Sequence, residues 1–143
     1  MQPSDAERSI GYLVKRVQQV LRRECDAALK PTGLSMAQYS TLRALQEHPE
    51  ASAAELARLC FVTRQSLQDL LSGLRAGGLI ENADTEPRGR AQSLALTRLG
   101  SRRLAAAHDA VFGVEDAMLQ GVSVRDRRTV AEVLLRCAKN LEA

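Results

Sequence analysis

Aromatic residues are scarce in this chain, which has no tryptophan, two tyrosines and two phenylalanines among 143 residues. A pocket for a small molecule would therefore have few aromatic side chains in its lining. Cysteine is also scarce, and Cys25, Cys60 and Cys137 are odd in number and far apart. Because no CxxC pair or Cys/His cluster is present, the spacing excludes a disulfide framework and a zinc site.

Long apolar runs are absent as well, and no stretch could cross a bilayer. The amino-terminal residues show no basic segment followed by an apolar run, so we expect no signal peptide. We therefore expect a cytoplasmic protein with no membrane partner. No Ser/His/Asp set, phosphate-binding loop, metal-ligand spacing or paired carboxylates are visible, and His48 and His108 stand alone. The sequence thus predicts neither an enzyme nor a bound metal or cofactor.

What the chain has in quantity is helix-forming residues. Hydrophobic residues make up 45% of the sequence, enough for one compact core at this length, and Ala, Leu, Arg, Gln and Glu dominate. The net charge is +3, which is only weak evidence for a nucleic-acid partner. These features predict a single, mainly helical domain over residues 1–143.

Serine capping patterns mark four helix starts, since Ser-x-x-Glu/Gln/Asp satisfies free amides at a helix N-terminus. They are Ser4/Glu7, Ser35/Gln38, Ser52/Glu55 and Ser123/Asp126. Apolar residues at helical spacing follow each of them. Two further helices are predicted after Thr63 and Thr97. Between these two, short strands at 79–81 and 93–96 flank a polar loop, which predicts a small β-hairpin.

The segment from residue 53 to residue 74 has the pattern of a helix-turn-helix. Two short helices are joined by a tight turn, and the second has one apolar face and one polar face. An arginine there can bind guanine, a glutamine can bind adenine, and hydroxyls near the helix N-terminus suit phosphate. The candidate DNA contacts on this helix are Thr63, Arg64, Gln65, Ser66 and Gln68.

The predicted hairpin carries Arg88 and Arg90 near its tip, where long cationic side chains can contact phosphates or the minor groove. A helix-turn-helix followed by a basic hairpin predicts a winged, DNA-binding lobe that binds double-stranded DNA. The lobe is nevertheless balanced in charge, with five arginines and five acids over residues 54–97. An alternative is therefore a winged module that binds a protein partner instead of DNA.

At this point the chain resembles the MarR family of bacterial regulators over nearly its whole length. The resemblance lies in GLSMAQY at 33–39, AELAR at 54–58, VTRQSL at 62–67, LRAGGLI at 74–80 and LTRLG at 96–100. It implies a homodimer in which residues 5–33 and 98–143 form the dimerisation helices and residues 35–97 form the winged helix-turn-helix. It also implies a repressor of a pseudo-palindromic operator, released by a small phenolic or aromatic ligand.

The sequence departs from the family pattern in two places. Phe61 stands at a turn position usually held by glycine, where a positive φ would strain a bulky residue. The wing segment is slightly longer than usual, and Arg90 best matches the family's wing arginine.

Further candidates concern the dimer and the effector. The terminal helices carry apolar stripes longer than one lobe needs, so they suit a symmetric interface. The interface candidates are Ile10, Leu13, Val17, Val130, Leu134 and Leu141. Tyr12, Arg16 and Tyr39 could meet between the first two helices and bind an aromatic acid. Cys60 and Cys137 lie on apolar faces and are expected in the core; a redox-sensing regulator that uses a cysteine is a further alternative.

Overall fold

The computed structural model describes residue 2, residues 4–83 and residues 94–142. Six α-helices and two strands follow one another in the described chain: α1 (Ile10–Leu29), α2 (Met36–Glu47), α3 (Ala53–Leu59), α4 (Arg64–Ala76), β1 (Ile80–Asn82), β2 (Leu94–Leu96), α5 (Arg98–Met118) and α6 (Val124–Glu142). Short 3-10 turns lie at Ala6–Arg8 and Lys30–Thr32. The expected mainly helical fold with a small hairpin is confirmed.

Helix starts follow the capping residues closely. The Ser35 hydroxyl accepts the backbone N–H of Gln38 at 3.1 Å, and the Gln38 side chain accepts that of Ser35 at 3.0 Å, which completes a capping box. Ser4 and Glu7 instead form reciprocal hydrogen bonds across the 3-10 turn, whose N-cap residue, Asp5, makes no side-chain capping bond. Ser9 is extended and caps α1, so α1 begins later than the first capping pattern suggests.

The hydrophobic core lies where the helix-turn-helix meets the inner ends of α1 and α5. From α1 only Cys25 and Leu29, near its C-terminus, are buried, and α5 contributes Leu104 and Val111. Leu42, Leu56, Leu67 and Leu74 complete the centre from α2, α3 and α4. The outer halves of the long helices therefore extend beyond the core.

The two strands pair in antiparallel register, with Ile80 opposite Leu96 and Asn82 opposite Leu94. Ile80 is buried, so β1 closes one side of the core. The hairpin thus directly follows α4, as expected for a wing. Helix α6 is different, because all its residues are exposed and it has no extensive contact with any other described element.

Candidate nucleic-acid interface

Helices α3 and α4 form a helix-turn-helix that packs against α2. The turn is held by the end of α3: the Phe61 N–H donates to the Arg58 carbonyl at 3.2 Å, and the Val62 N–H donates to the Ala57 carbonyl at 3.0 Å. Phe61 has a φ of 56°, so the suspected positive φ at this position is present. A residue with a side chain therefore occupies a backbone conformation that favours glycine.

The N-terminal end of α4 is an ordered, exposed polar surface. Thr63 caps the helix by accepting the Ser66 N–H at 3.0 Å, and its hydroxyl also donates to the Ser66 hydroxyl at 3.0 Å. On the opposite face Leu67, Leu71 and Leu74 are buried, which fixes the rotation of the helix. All five predicted DNA-contacting residues of this helix are exposed: Thr63, Arg64, Gln65, Ser66 and Gln68.

The charged and amide groups on that face are available for a ligand. Within the part of the chain that the structure describes, Arg64 forms no ion pair with an acidic side chain. The Gln65 side-chain amide donates to Asp69 at 3.3 Å, which orients it along the helix and leaves its carbonyl oxygen unused by this bond. Asp69 therefore accepts a hydrogen bond from a glutamine of its own helix. One of the five acids in the charge-balanced lobe thus has a partner within α4.

The base of the wing is anchored to α4 and α5. The Thr97 hydroxyl donates to the Gly78 carbonyl at 2.6 Å, and its backbone N–H donates to the Leu79 carbonyl at 3.0 Å. Arg75 donates to the Asn82 side chain at 3.4 Å. The predicted wing arginines, Arg88 and Arg90, lie outside the described residues.

Tyr39 does not lie where the ligand hypothesis placed it. It is 2% exposed, and its hydroxyl is 3.0 Å from His108 Nδ1 on α5. His108 also packs edge-on against the Tyr39 ring and stacks on Phe112. Tyr39 is thus a core residue with a polar partner, and His108 is a packing residue that bridges Tyr39 and Phe112. The spacing of His108 and Phe112, one helical turn apart, was the only sequence signal for this cluster.

Arg16 instead lines a groove between α1 and α5, away from Tyr39. This α1/α5 groove has a volume of about 870 Å³ and is largely apolar, with Arg16 and Glu24 as its charged lining residues. Tyr12 is half-exposed on α1 and is not among the residues that line it. The apolar lining comes from Leu13, Val17, Val20, Leu21, Ala28, Ala110, Gly113, Val114, Ala117 and Met118.

The dimer candidates are exposed apolar side chains in the single chain. Ile10, Leu13 and Val17 lie on the outer half of α1, and Val130, Leu134 and Leu141 lie on α6. Their exposure is appreciable in every case and reaches 89% for Leu141. Leu13 and Val17 also line the α1/α5 groove, so α5 covers them in part.

The cysteines differ from the expectation. Cys137 is exposed on α6, Cys60 is half-buried and Cys25 is buried. The core prediction was therefore wrong for Cys137. An apolar stripe on a helix leads to burial only where another element packs on that face, and no described element of this chain packs extensively on α6. Burial, and then the charge of Glu115, raises the pKa of the Cys25 thiol, and burial raises the pKa of Cys60. Raised thiol pKa values reduce the thiolate fraction on which oxidant sensing depends.

Among residues 4–83 and 94–142, no group of three His, Cys, Asp or Glu side chains is placed to hold a metal ion. None of the helices in the described chain combines the length and the apolar character that a membrane span requires.

Comparison with known proteins gives a consistent result. Residues 32–91 match the model of the MarR family. The HTH-type transcriptional repressor Rv2887 of Mycobacterium tuberculosis is 40% identical over 108 residues, which cover 76% of this chain and 77% of the repressor. Its counterpart Mb2911 of Mycobacterium bovis gives the same values.

Solved structures of relatives also superpose on the described fold. Rv2887 in complex with salicylic acid has a TM-score of 0.73 at 32% identity, covering 90% of this chain and 96% of that one. Rv2887 in complex with DNA has a TM-score of 0.72 at 30% identity, covering 90% and 97%. The transcriptional regulator PA3341 has a TM-score of 0.83 at 29% identity, covering 94% and 98%. The chain belongs to the MarR family of transcriptional regulators.

Proposed function

We propose that the chain is a homodimeric repressor that binds a pseudo-palindromic DNA site and leaves it when a small aromatic acid binds. The observation that carries this proposal is the polar face of α4, whose Arg64, Gln65 and Gln68 are exposed while its leucines are buried. The relative Rv2887 has been solved with DNA, with salicylic acid and with p-aminosalicylic acid, which supports the same pairing of partners. Such a protein acts in the cytoplasm, where the DNA is.

The residues of the α4 face divide into base contacts and phosphate contacts in this proposal. Arg64 binds guanine O6 and N7, and Gln65 and Gln68 bind adenine N6 and N7. The Ser66 hydroxyl donates to a phosphate, assisted by the partial positive charge of the α4 N-terminus. The Thr63 hydroxyl donates to the Ser66 hydroxyl and so holds it in place before DNA arrives; Thr63 contacts a phosphate itself when its O–H turns from Ser66 to the DNA. In the wing, Arg88 and Arg90 add contacts to phosphates or to the minor groove.

Dimerisation follows from the exposed outer helices. Helix α6 is 19 residues long and buries none of them, although it carries a stripe that contains Val130, Leu134 and Leu141. Helix stability in proteins comes mainly from packing of an apolar face, so this helix needs a covering surface. A second copy supplies it through a symmetric contact that also uses Ile10, Leu13 and Val17 of α1.

The effector site that we propose is the α1/α5 groove. Its volume is within the range of small-molecule sites, and its apolar lining suits an aromatic ring. Arg16 can bind a carboxylate through two parallel hydrogen bonds. Tyr12 lies one helical turn before Arg16 but does not line the groove, so its contact with the effector stays a prediction from the sequence. The burial of Tyr39 makes that residue a support of α2 instead. A ligand between α1 and α5 would change the spacing of the two DNA-binding lobes.

The proposal is tested by selecting bound fragments from a genomic library and titrating the recovered operator. Arg64→Ala should weaken binding and relax the base preference at one position per half-site, by about 1–3 kcal/mol. Arg90→Ala should weaken all sites evenly and reduce the salt dependence. Arg22→Ala, an exposed change on α1, is the matched control. If no fragment is enriched, or if neither lobe variant changes binding, the proposal is wrong and the protein-partner alternative takes its place.

A further inference from the structure

Phe61 occupies the position after the end of α3 where helices commonly place glycine. Its N–H bonds to the Arg58 carbonyl and the next N–H, of Val62, bonds to the Ala57 carbonyl. These two hydrogen bonds define a Schellman motif, in which the residue at the C′ position is left-handed. Among the described residues, Phe61 is the only residue other than glycine with a positive φ.

The next helix shows the same motif built with glycine. At the end of α4, the Gly78 N–H donates to Arg75 at 3.0 Å and the Leu79 N–H donates to Leu74 at 2.9 Å. Gly78 has a φ of 72°, close to the 56° of Phe61. The same motif therefore ends two helices of this chain: α4 ends with the unstrained Gly78 and α3 ends with the strained Phe61.

Burial does not offset that strain in the single chain. The Phe61 side chain is 94% exposed, the highest exposure among the large hydrophobic residues that the structure describes. A core role would place the ring among apolar neighbours, and the motif itself needs no side chain at this position. Strained residues that persist without a structural reason are concentrated at functional sites.

Phe61 lies at the rim of an open groove that it shares with Arg43 and Glu47 of α2, and it is also close to the N-terminus of α4. It precedes Thr63, the N-cap of α4, by two residues, so it stands beside the helix end that carries Arg64 and Gln65. A recognition helix enters the major groove by this end, which brings the preceding turn against the DNA. The duplex offers apolar atoms there, namely thymine C5-methyl groups and deoxyribose carbons.

We propose that Phe61 is a DNA-binding residue that packs on apolar atoms of the operator at the edge of the α4 contact. The inference rests on the proposed DNA-binding function and adds a contact outside the polar face of α4. It also explains the missing glycine, because backbone strain in the free protein is offset by contact in the complex. The ring contributes to sequence preference where its neighbour is a thymine methyl.

The test compares stability and operator affinity in Phe61→Gly at a fixed protein concentration. The melting temperature should rise by roughly 2–5 °C, because the strain is relieved. Operator binding should weaken roughly tenfold, which is about 1.4 kcal/mol. Phe61→Tyr keeps the ring and should restore most of the affinity that Phe61→Gly loses. Gly78→Ala, which introduces a Cβ into the same motif with nothing within 4 Å, is the matched control for strain and should lower the melting temperature.

Operators with deoxyuridine in place of single thymines distinguish the two sources of apolar contact. If one substitution weakens the wild type but not Phe61→Gly, the ring contacts that methyl group. If no substitution matters while Phe61→Gly still binds weakly, the ring contacts deoxyribose. Either result supports the inference. Unchanged operator affinity in Phe61→Gly, with Arg64→Ala still defective, overturns it and leaves the proposed function intact. Failure of the wild type to bind DNA overturns both.

Discussion

The Tyr39 hydroxyl and His108 Nδ1 lie 3.0 Å apart, although they are 69 residues apart in the chain. This bond joins α2, the support of the helix-turn-helix, to the middle of α5. The edge-on packing of the two rings and the stacking of His108 on Phe112 extend the contact. It couples the DNA-binding lobe to the long helix that borders the α1/α5 groove.

Removing this hydrogen bond should destabilise the fold. Tyr39→Phe keeps the ring and its packing but deletes the hydroxyl, so we expect the free energy of unfolding to fall by about 1 kcal/mol. Urea denaturation at fixed protein concentration measures the change. Tyr12→Phe, the same change at a half-exposed position, should have no measurable effect. Equal stabilities for wild type and Tyr39→Phe would contradict the bond.

Alkaline pH should destabilise the protein through two buried acids. Burial raises the pKa of the Cys25 thiol above its usual 9.0 and that of Tyr39 above its usual 10.0. Because the pKa of each group is higher in the folded protein than in the unfolded chain, folding favours the protonated thiol and phenol. Their contribution to the free energy of unfolding is complete below the pKa of the unfolded chain and is lost as pH rises through the pKa of the folded protein. The free energy of unfolding should therefore decline above about pH 9.

Comparing Cys25→Ala with the wild type isolates the thiol. The variant should be less stable at neutral pH because it leaves a small cavity, and its alkaline decline should be shallower. Cys137→Ala, at an exposed site, should keep the wild-type pH profile. A parallel decline in the wild type and Cys25→Ala would show that the thiol has no part in it.

The close approach of α5 to the hairpin depends on Gly100. A Cβ at position 100 would overlap the Leu79 carbonyl oxygen. Because backbone atoms on both sides cannot move freely, Gly100→Ala should lower the free energy of unfolding by about 2–3 kcal/mol. Gly73→Ala, in the exposed middle of α4 with nothing within 4 Å of its Cβ, should instead stabilise the protein by up to about 1 kcal/mol. Thermal melts of both variants check the pair, and similar shifts would refute the close contact.

Local sequence signals were sufficient for the helix-turn-helix. The spacing of Leu67, Leu71 and Leu74 fixed which face of α4 is buried, and Thr63 marked where the helix starts. Phe61 could be identified as a glycine position because the resemblance supplies the pattern, and the observed φ agrees. These features depend on neighbours within one or two helical turns, which is why periodicity reveals them.

Contacts between distant segments could not be predicted in the same way. Tyr39 was a ligand candidate because a phenol suits an aromatic acid, but its partner lies 69 residues further on. Leu59 is apolar but 45% exposed, since α3 is short and ends at this residue. An apolar stripe also looks the same whether its own chain or a second copy covers it, as Cys137 illustrates.

Disrupting the α6 stripe should separate the two subunits. Leu134→Asp places a charge on the exposed apolar face, where burial against a second copy would be costly. We expect a monomer at micromolar concentration by sedimentation equilibrium. Operator affinity should fall by about a hundredfold, because the two half-sites are no longer bound together. Glu132→Ala, on the opposite side of the same helix, should remain dimeric. If Leu134→Asp stays dimeric, another surface forms the interface.

Arg16 provides the sharpest test of the effector hypothesis. If the α1/α5 groove binds an aromatic acid through this guanidinium, Arg16→Ala should raise the salicylate concentration that releases half the operator by about tenfold or more. Arg16→Lys keeps the charge but not the paired hydrogen bonds, so its effect should be intermediate. Arg22→Ala removes an arginine from the same helix, outside the groove, and should respond like the wild type. Fluorescence anisotropy of labelled operator under salicylate titration measures all four proteins. Identical half-release concentrations for Arg16→Ala and Arg22→Ala would move the effector site away from this groove, because a carboxylate bound there would lose its charged partner only in the first variant.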